Sequence, residues 1–213
     1  TELLTTLYFD GVLNYDSKDP AWEGRDRFVL SEGQAGIGLY PFLASSGFFP
    51  MDTLEGFTGE GSTLGVHSES STPGVEVLTG SLGYGISIGC GMAQALKLAR
   101  KPNRVLVLVG DGELTEGSCD EGLRNVANLG LDNFWLLVNR NGQSTIGYND
   151  VRAELQRDIE MENLGKKFRA YGFDTRVTDG HNFGHIAHTF KDFRTTKACP
   201  TAVIAITEKG HGC

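Results

Sequence analysis

The sequence predicts a three-layer α/β fold, a mostly parallel sheet with helices on both faces. Two observations carry it. Short, wholly apolar runs recur at Val105–Val109, Phe134–Val138 and Ala202–Ile206, as expected of strands buried on both faces. Segments of helical periodicity separate them, and strand–helix alternation means parallel strands with crossover helices.

Taken in order, Thr1 to Tyr15 has apolar residues at helical spacing (Leu3, Leu4, Leu7, Tyr8, Val12), and Arg25–Leu30 reads as a short strand. A helix is expected over Ala35–Ser46. The stretch Phe48–Thr79 is rich in turn signals and long for a plain connection, which suits a ligand-facing segment. A helix over Tyr84–Ala99 carries small residues at Ser87, Gly89, Gly91 and Ala93, suited to close packing. Then come a strand at 104–109, a helix at 118–130, a strand at 134–138, a helix at Met161–Tyr171, a strand at Asp174–Val177, a helix at 183–194 and a strand at Ala202–Ile206.

Composition narrows the function classes. The chain has 213 residues, 39% hydrophobic and 22% charged, with a net charge of −8, as in ordinary soluble globular proteins. No basic stripe is available for nucleic acid. No apolar run approaches the roughly 18 residues of a membrane span, and there is no signal peptide, so a cytoplasmic protein is expected. Cys90, Cys119, Cys199 and Cys213 are scattered without C-x-x-C spacing, which suits small apolar residues in a reducing compartment.

The turns that end two strands carry the chemistry. Gly110-Asp111-Gly112 follows the first run, and Asn139-Arg140-Asn141-Gly142 follows the second, 30 residues on. That is the length of a strand–helix–strand unit. A right-handed crossover then sets both strand ends at one sheet edge. There the Asp111 carboxylate, the Asn141 amide oxygen and a backbone carbonyl near Gln143 make half an octahedral shell for a hard dication that shares phosphate oxygens. Gly110 and Gly112 let the backbone turn and present amides to an anion. Alone, Gly-Asp-Gly is also a common structural turn; its frame favours a ligand site.

Gly110-Asp111-Gly112-Glu113-Leu114-Thr115-Glu116-Gly117, with Leu131-Asp132-Asn133 and Val138-Asn139-Arg140-Asn141-Gly142, resembles the thiamine diphosphate motif of transketolases. Arg25–Ser31, Thr72–Glu76, Gly80–Gly85, Asp179-Gly180-His181 and Glu208-Lys209-Gly210 extend the resemblance in order along nearly the whole chain. It implies one thiamine diphosphate-binding domain over residues 1–213, lacking short N- and C-terminal extensions. Such a chain would be the N-terminal subunit of a split transketolase, with thiamine diphosphate and Mg2+ (or Ca2+). It would be active only with a C-terminal subunit carrying the pyrimidine-binding domain, in an α2β2 heterotetramer, and would transfer a two-carbon ketol unit from a sugar or sugar phosphate to an aldehyde. Other thiamine chemistry, decarboxylating or acyloin-forming, and a non-catalytic paralogue that stabilises its partner remain alternatives.

By position the resemblance implies Asp111, Asn141 and the Gln143 carbonyl as metal ligands. Gly110 and Gly112 would lie at the diphosphate, and Gly80 and Leu82 against the cofactor ring. Glu116 and Glu121 would face the subunit interface, although on the residues alone both suit a solvated helix start. His67 is a candidate substrate-side contact and His211 a cofactor-side one; His181 reads as structural. The family pattern Ser-Lys-Gly-His here reads Ser31-Glu32-Gly33-Gln34. Gln34 thus stands at a cofactor-side position with an amide that can hydrogen-bond but not carry charge.

Overall fold

The computed structural model describes residues 1–143, 164–193 and 198–212. Five strands form one parallel sheet: β1 (Arg27–Leu30), β2 (Val105–Gly110), β3 (Phe134–Arg140), β4 (Asp174–Asp179) and β5 (Thr201–Ile206), in the order β1-β2-β3-β5-β4. Because every neighbour is parallel, all five carboxyl ends lie along one edge. There Ser31, Asp111, Asn141, His181 and Thr207 follow their strands.

The two faces of β1, β2, β3 and β5 feed two separate cores, while the edge strand β4 contributes to neither. Val105, Val107 and Val109 pack with Phe134, Leu136 and Val138 under α3 (Tyr84–Leu98), α4 (Gly117–Asn128) and α5 (164–170). Leu106, Leu108, Trp135 and Leu137 pack on the other side with α1 (Glu2–Phe9), α2 (Gly36–Ser45) and α6 (Phe183–Phe193). That is the three-layer arrangement the apolar runs predict: strands covered on both faces have no polar side.

Element boundaries shift for local reasons. The first helix stops at Phe9 rather than Tyr15, because Gly11 takes a φ of +64° and turns the chain. Val12 and Leu13 still reach the core beyond the turn, which is why the apolar spacing reads on. The Phe48–Thr79 stretch contains one 3₁₀ segment, Met51–Gly56. Of the helix expected at 161–171, residues 161–163 lie outside the described residues. Close packing of α3 holds at Gly85 and Gly89 but not at Gly91. A Cβ on Gly89 would stand 2.4 Å from Val107 Cγ2, whereas one on Gly91 would meet nothing within 4 Å. Cys90 and Cys119 are buried and Cys199 is half-buried, all free thiols; burial pushes the Cys119 thiol up to about 12. Cys213 lies outside the described residues.

Candidate functional site

Residues 79–83 cross the carboxyl end of the sheet as a clasped strap. The Thr79 hydroxyl donates to the Leu30 carbonyl at the end of β1. Gly33 is obligatory beneath it, since a Cβ there would sit 1.9 Å from the Thr79 carbonyl oxygen. At the other end, the Gly83 amide donates to Glu113 Oε1 at 2.8 Å, and the Ser31 hydroxyl donates to the same oxygen. One buried carboxylate thus joins β1, the strap and the turn after β2.

Asp111 is buried at the end of β2. Its Oδ1 accepts the Gly112 amide at 3.0 Å, and its Oδ2 accepts the Gly142 amide at 2.8 Å together with the Arg140 guanidinium. The Asn141-Gly142 turn therefore sits directly against the Asp111 carboxylate, as the strand–helix–strand spacing requires. Asn141 is half-buried, and its Oδ1 accepts the Gln143 amide at 2.9 Å. The buried ion pair between Arg140 and Asp111 was not legible in the sequence.

Two further acids lie here. Glu113 is buried, and desolvation holds its carboxyl above the usual range; the Ser31 hydroxyl and the Gly83 and Gly110 amides work against that shift. Glu32 is pushed up to about 7 by burial, with the charges of Glu113 and Asp111 adding to it and a bond from Asn139 opposing. Asn139 Nδ2 reaches Glu32 Oε1 at 3.5 Å, and the Thr207 hydroxyl holds Asn139 Oδ1 at 2.7 Å. A Cβ on Gly110 would come within 3.1 Å of Glu32 Oε2.

Glu32, Asn139, Asn141 and Thr207 line a cleft of about 490 Å³ together with Gln34, His181 and His211, whereas Asp111 and Glu113 do not reach its wall. His181 lies on the wall of this cleft, and its bonds are those of the structural residue the sequence suggests. Its Nε2 accepts the Glu208 amide at 2.7 Å, so Nδ1 carries the hydrogen and donates to Glu2 Oε1 at 3.1 Å. The His211 ring stacks on it with centroids 3.8 Å apart. With both His181 nitrogens engaged, this trio pins the N-terminal helix to the 208–211 turn.

The expected residues fall at several places around the sheet edge. Asp111, flanked by Gly110 and Gly112, meets the backbone of the Asn141-Gly142 turn, while Asn141 Oδ1 is turned to the amide of the exposed Gln143. Gln34 and His211 are exposed on the cleft wall, while Gly80 and Leu82 lie on the strap, Leu82 half-buried. His67 is half-buried against Gly33, with its Cδ2 3.0 Å from where a Gly33 Cβ would be, and does not line the cleft. Glu116 is exposed at the N-cap of α4 without a side-chain cap bond, and Glu121 is exposed on the same helix.

The donor set suits a hard dication. A carboxylate offers about four lone-pair positions, and Asp111 uses them for two amides and one guanidinium hydrogen bond. The Asn141 carbonyl oxygen is the neighbouring hard donor, and among the described residues no thiolate or imidazole bonds Asp111. Oxygen donors beside glycine turns at strand ends fit a metal–diphosphate group.

Comparison with known proteins agrees. Residues 2–213 match the family described as "Transketolase, thiamine diphosphate binding domain". The chain is 37% identical to human transketolase over 214 residues, covering 99% of this chain and 32% of that protein. It is 34% identical to the 6-deoxy-6-sulfo-D-fructose transketolase subunit SqwG of Clostridium sp. (strain MSTE9) over 212 residues, covering 99% of this chain and 74% of that one. It is also 34% identical to one of the subunits of the apulose-4-phosphate transketolase of Phocaeicola vulgatus, with 99% and 72% covered. The crystal structure of Campylobacter jejuni transketolase superposes with a TM-score of 0.84 at 32% identity, over 96% of this chain and 32% of that one. The chain thus spans about a third of the full-length transketolases it matches. With the Asp111–Asn141 corner at the edge of a parallel sheet, these likenesses show that the chain belongs to the transketolase family, as its thiamine diphosphate-binding domain.

Proposed function

We propose that this chain is the diphosphate-binding subunit of a split transketolase, working in the cytoplasm with a partner that carries the pyrimidine-binding domain, as an α2β2 heterotetramer. The observation that carries the reading is the meeting of Asp111 with the Asn141-Gly142 turn at adjacent strand ends. The two relatives that are themselves subunits, which this chain covers for most of their length, support the division of labour.

Asp111, Asn141 and the Gln143 carbonyl would hold Mg2+, or Ca2+ in its place. When bound, thiamine diphosphate supplies the nucleophilic carbon and the electron sink for cleaving the bond beside a ketose carbonyl. The chain's own residues do the rest. The Gly112 and Gly142 amides fix the Asp111 carboxylate, and on the Thr79–Gly83 strap, pinned by Glu113, Gly80 and Leu82 would lie against the cofactor ring. Gln34 and His211 present hydrogen-bonding groups from the cleft wall; His67, packed against Gly33 outside that wall, would contact substrate and Glu116 would face the subunit interface only in the assembled enzyme.

Glu32 and Gln34 favour a donor other than a standard sugar phosphate, because they place an acid and a neutral amide in the cleft. Reconstitution with the partner, assayed against sugar phosphates, unphosphorylated ketoses and α-keto acids, tests the reading. Ketol transfer from a ketose supports it. Turnover of α-keto acids alone makes the chain part of a different thiamine enzyme, and no turnover of any donor makes it a stabilising paralogue.

A further inference from the structure

The Arg140–Asp111 pair poses an electrostatic problem for a metal site. Both side chains are buried, at 7% and 5% exposure, and the guanidinium shares Oδ2 with the Gly142 amide. A cation therefore already stands at the carboxylate that would receive a dication. Surface screening is weak at such depth, so charges a few ångströms apart interact strongly.

The sign of that interaction depends on what arrives. A bare Mg2+ or Mn2+ carries +2 and is repelled by the guanidinium. The same ion bound to a diphosphate of charge −3 forms a complex of net charge −1, which the guanidinium attracts. Glu32 and Glu113 at the same sheet edge act in the opposite sense when ionised, so the preference rests on Arg140, which bonds Asp111 directly. Arg140 is thus the cation that this buried corner holds against Asp111.

We propose that Arg140 couples metal entry to diphosphate entry: it shields Asp111 from free dications and favours the anionic metal–diphosphate complex. This rests on the reading of Asp111 and Asn141 as the metal corner. Arg140 is a positioning residue here. The carboxylate keeps its orientation without it, since the Gly112 and Gly142 amides still hold both oxygens.

The test compares Arg140→Gln, which retains a hydrogen-bond donor to Asp111 without the charge, with Arg140→Lys, which retains the charge. Each is measured in complex with the partner for two affinities. One is Mn2+ alone, followed by electron paramagnetic resonance of the free ion; the other is thiamine diphosphate at saturating Mg2+, followed by calorimetry. Arg140→Gln should bind Mn2+ alone about tenfold more tightly and thiamine diphosphate about tenfold more weakly, while Arg140→Lys keeps both within about threefold of the wild type. Weakening of both affinities in Arg140→Gln would mean a purely structural role and overturn the proposal, as would no change in either. Loss of both in Arg140→Lys would show that the guanidinium shape, not its charge, matters, and also overturns it. If the wild-type complex binds no thiamine diphosphate, the functional reading itself fails and this inference with it. Wild-type binding with unaltered variants removes only the inference.

Discussion

The backbone amide of Gly83 donates to the Glu113 carboxylate at 2.8 Å, across 30 residues of sequence. Through that bond the strap over the strand ends is tied to the turn that bears Asp111. Glu113 also receives the Ser31 hydroxyl, so a single side chain registers three segments.

Replacing Glu113 by Ala would leave the buried Ser31 hydroxyl and Gly83 amide without their acceptor. Each orphaned buried donor costs about 1–3 kcal/mol, so a stability loss of about 2–4 kcal/mol is expected in urea denaturation. A change below about 1 kcal/mol would mean the clasp is dispensable.

The first turn of α3 should tolerate no side chain at Gly85. A Cβ there would stand 2.2 Å from Ser31 Oγ and 2.9 Å from Ser31 Cα, so Gly85→Ala is expected to cost about 1–3 kcal/mol through overpacking. Gly91→Ala, further along the same helix and facing open space, should stabilise by about 0.5–1 kcal/mol through helix propensity. Thermal melts of the two variants should move in opposite directions.

Glu32 gives a pH dependence of definite sign. Its carboxyl is raised to about 7 in the folded chain against an ordinary value of 4.5. Between those values the native state binds more protons than the unfolded one, so this group's contribution to stability falls as pH rises from about 4.5 to about 7 and is level above. After discounting for the partial exposure of the side chain, the loss is about 2 kcal/mol. Glu32→Gln should remove that slope and be the more stable protein at pH 8; parallel stability curves for variant and wild type between pH 5 and 8 would contradict this.

Much of this architecture is readable in the chain because it depends on local pattern. Val105–Val109 and Phe134–Val138 have no polar face, which leaves burial on both sides as their only stable environment. The corner at Asp111 and Asn141 is legible because a crossover unit of fixed length converts sequence spacing into spatial adjacency. Helix ends are less legible, since Gly11 ends α1 by its backbone conformation while Val12 and Leu13 continue the apolar count.

The long-range polar contacts are hidden for a different reason. Nothing local marks Glu113 as buried, because its partners Ser31 and Gly83 lie 82 and 30 residues away. Glu32 meets Asn139 across 107 residues, and His181 meets Glu2 across 179. These pairings form only when the strand ends align, and they decide the charge of the cleft. Arg140 is the sharpest case, since its neighbours Asn139 and Asn141 stand out by their amide oxygens while the guanidinium turns back to Asp111.

Asp111 as the anchor of a divalent metal with thiamine diphosphate is tested most directly by calorimetry. Thiamine diphosphate with Mg2+ is titrated into the complex of chain and partner, for wild type and for Asp111→Ala. Saturable, Mg2+-dependent binding is expected in the wild type, weakened at least about a hundredfold in Asp111→Ala, the effect of losing one charged, desolvated ligand. Equal binding by both proteins, or no binding by the wild type, would contradict it.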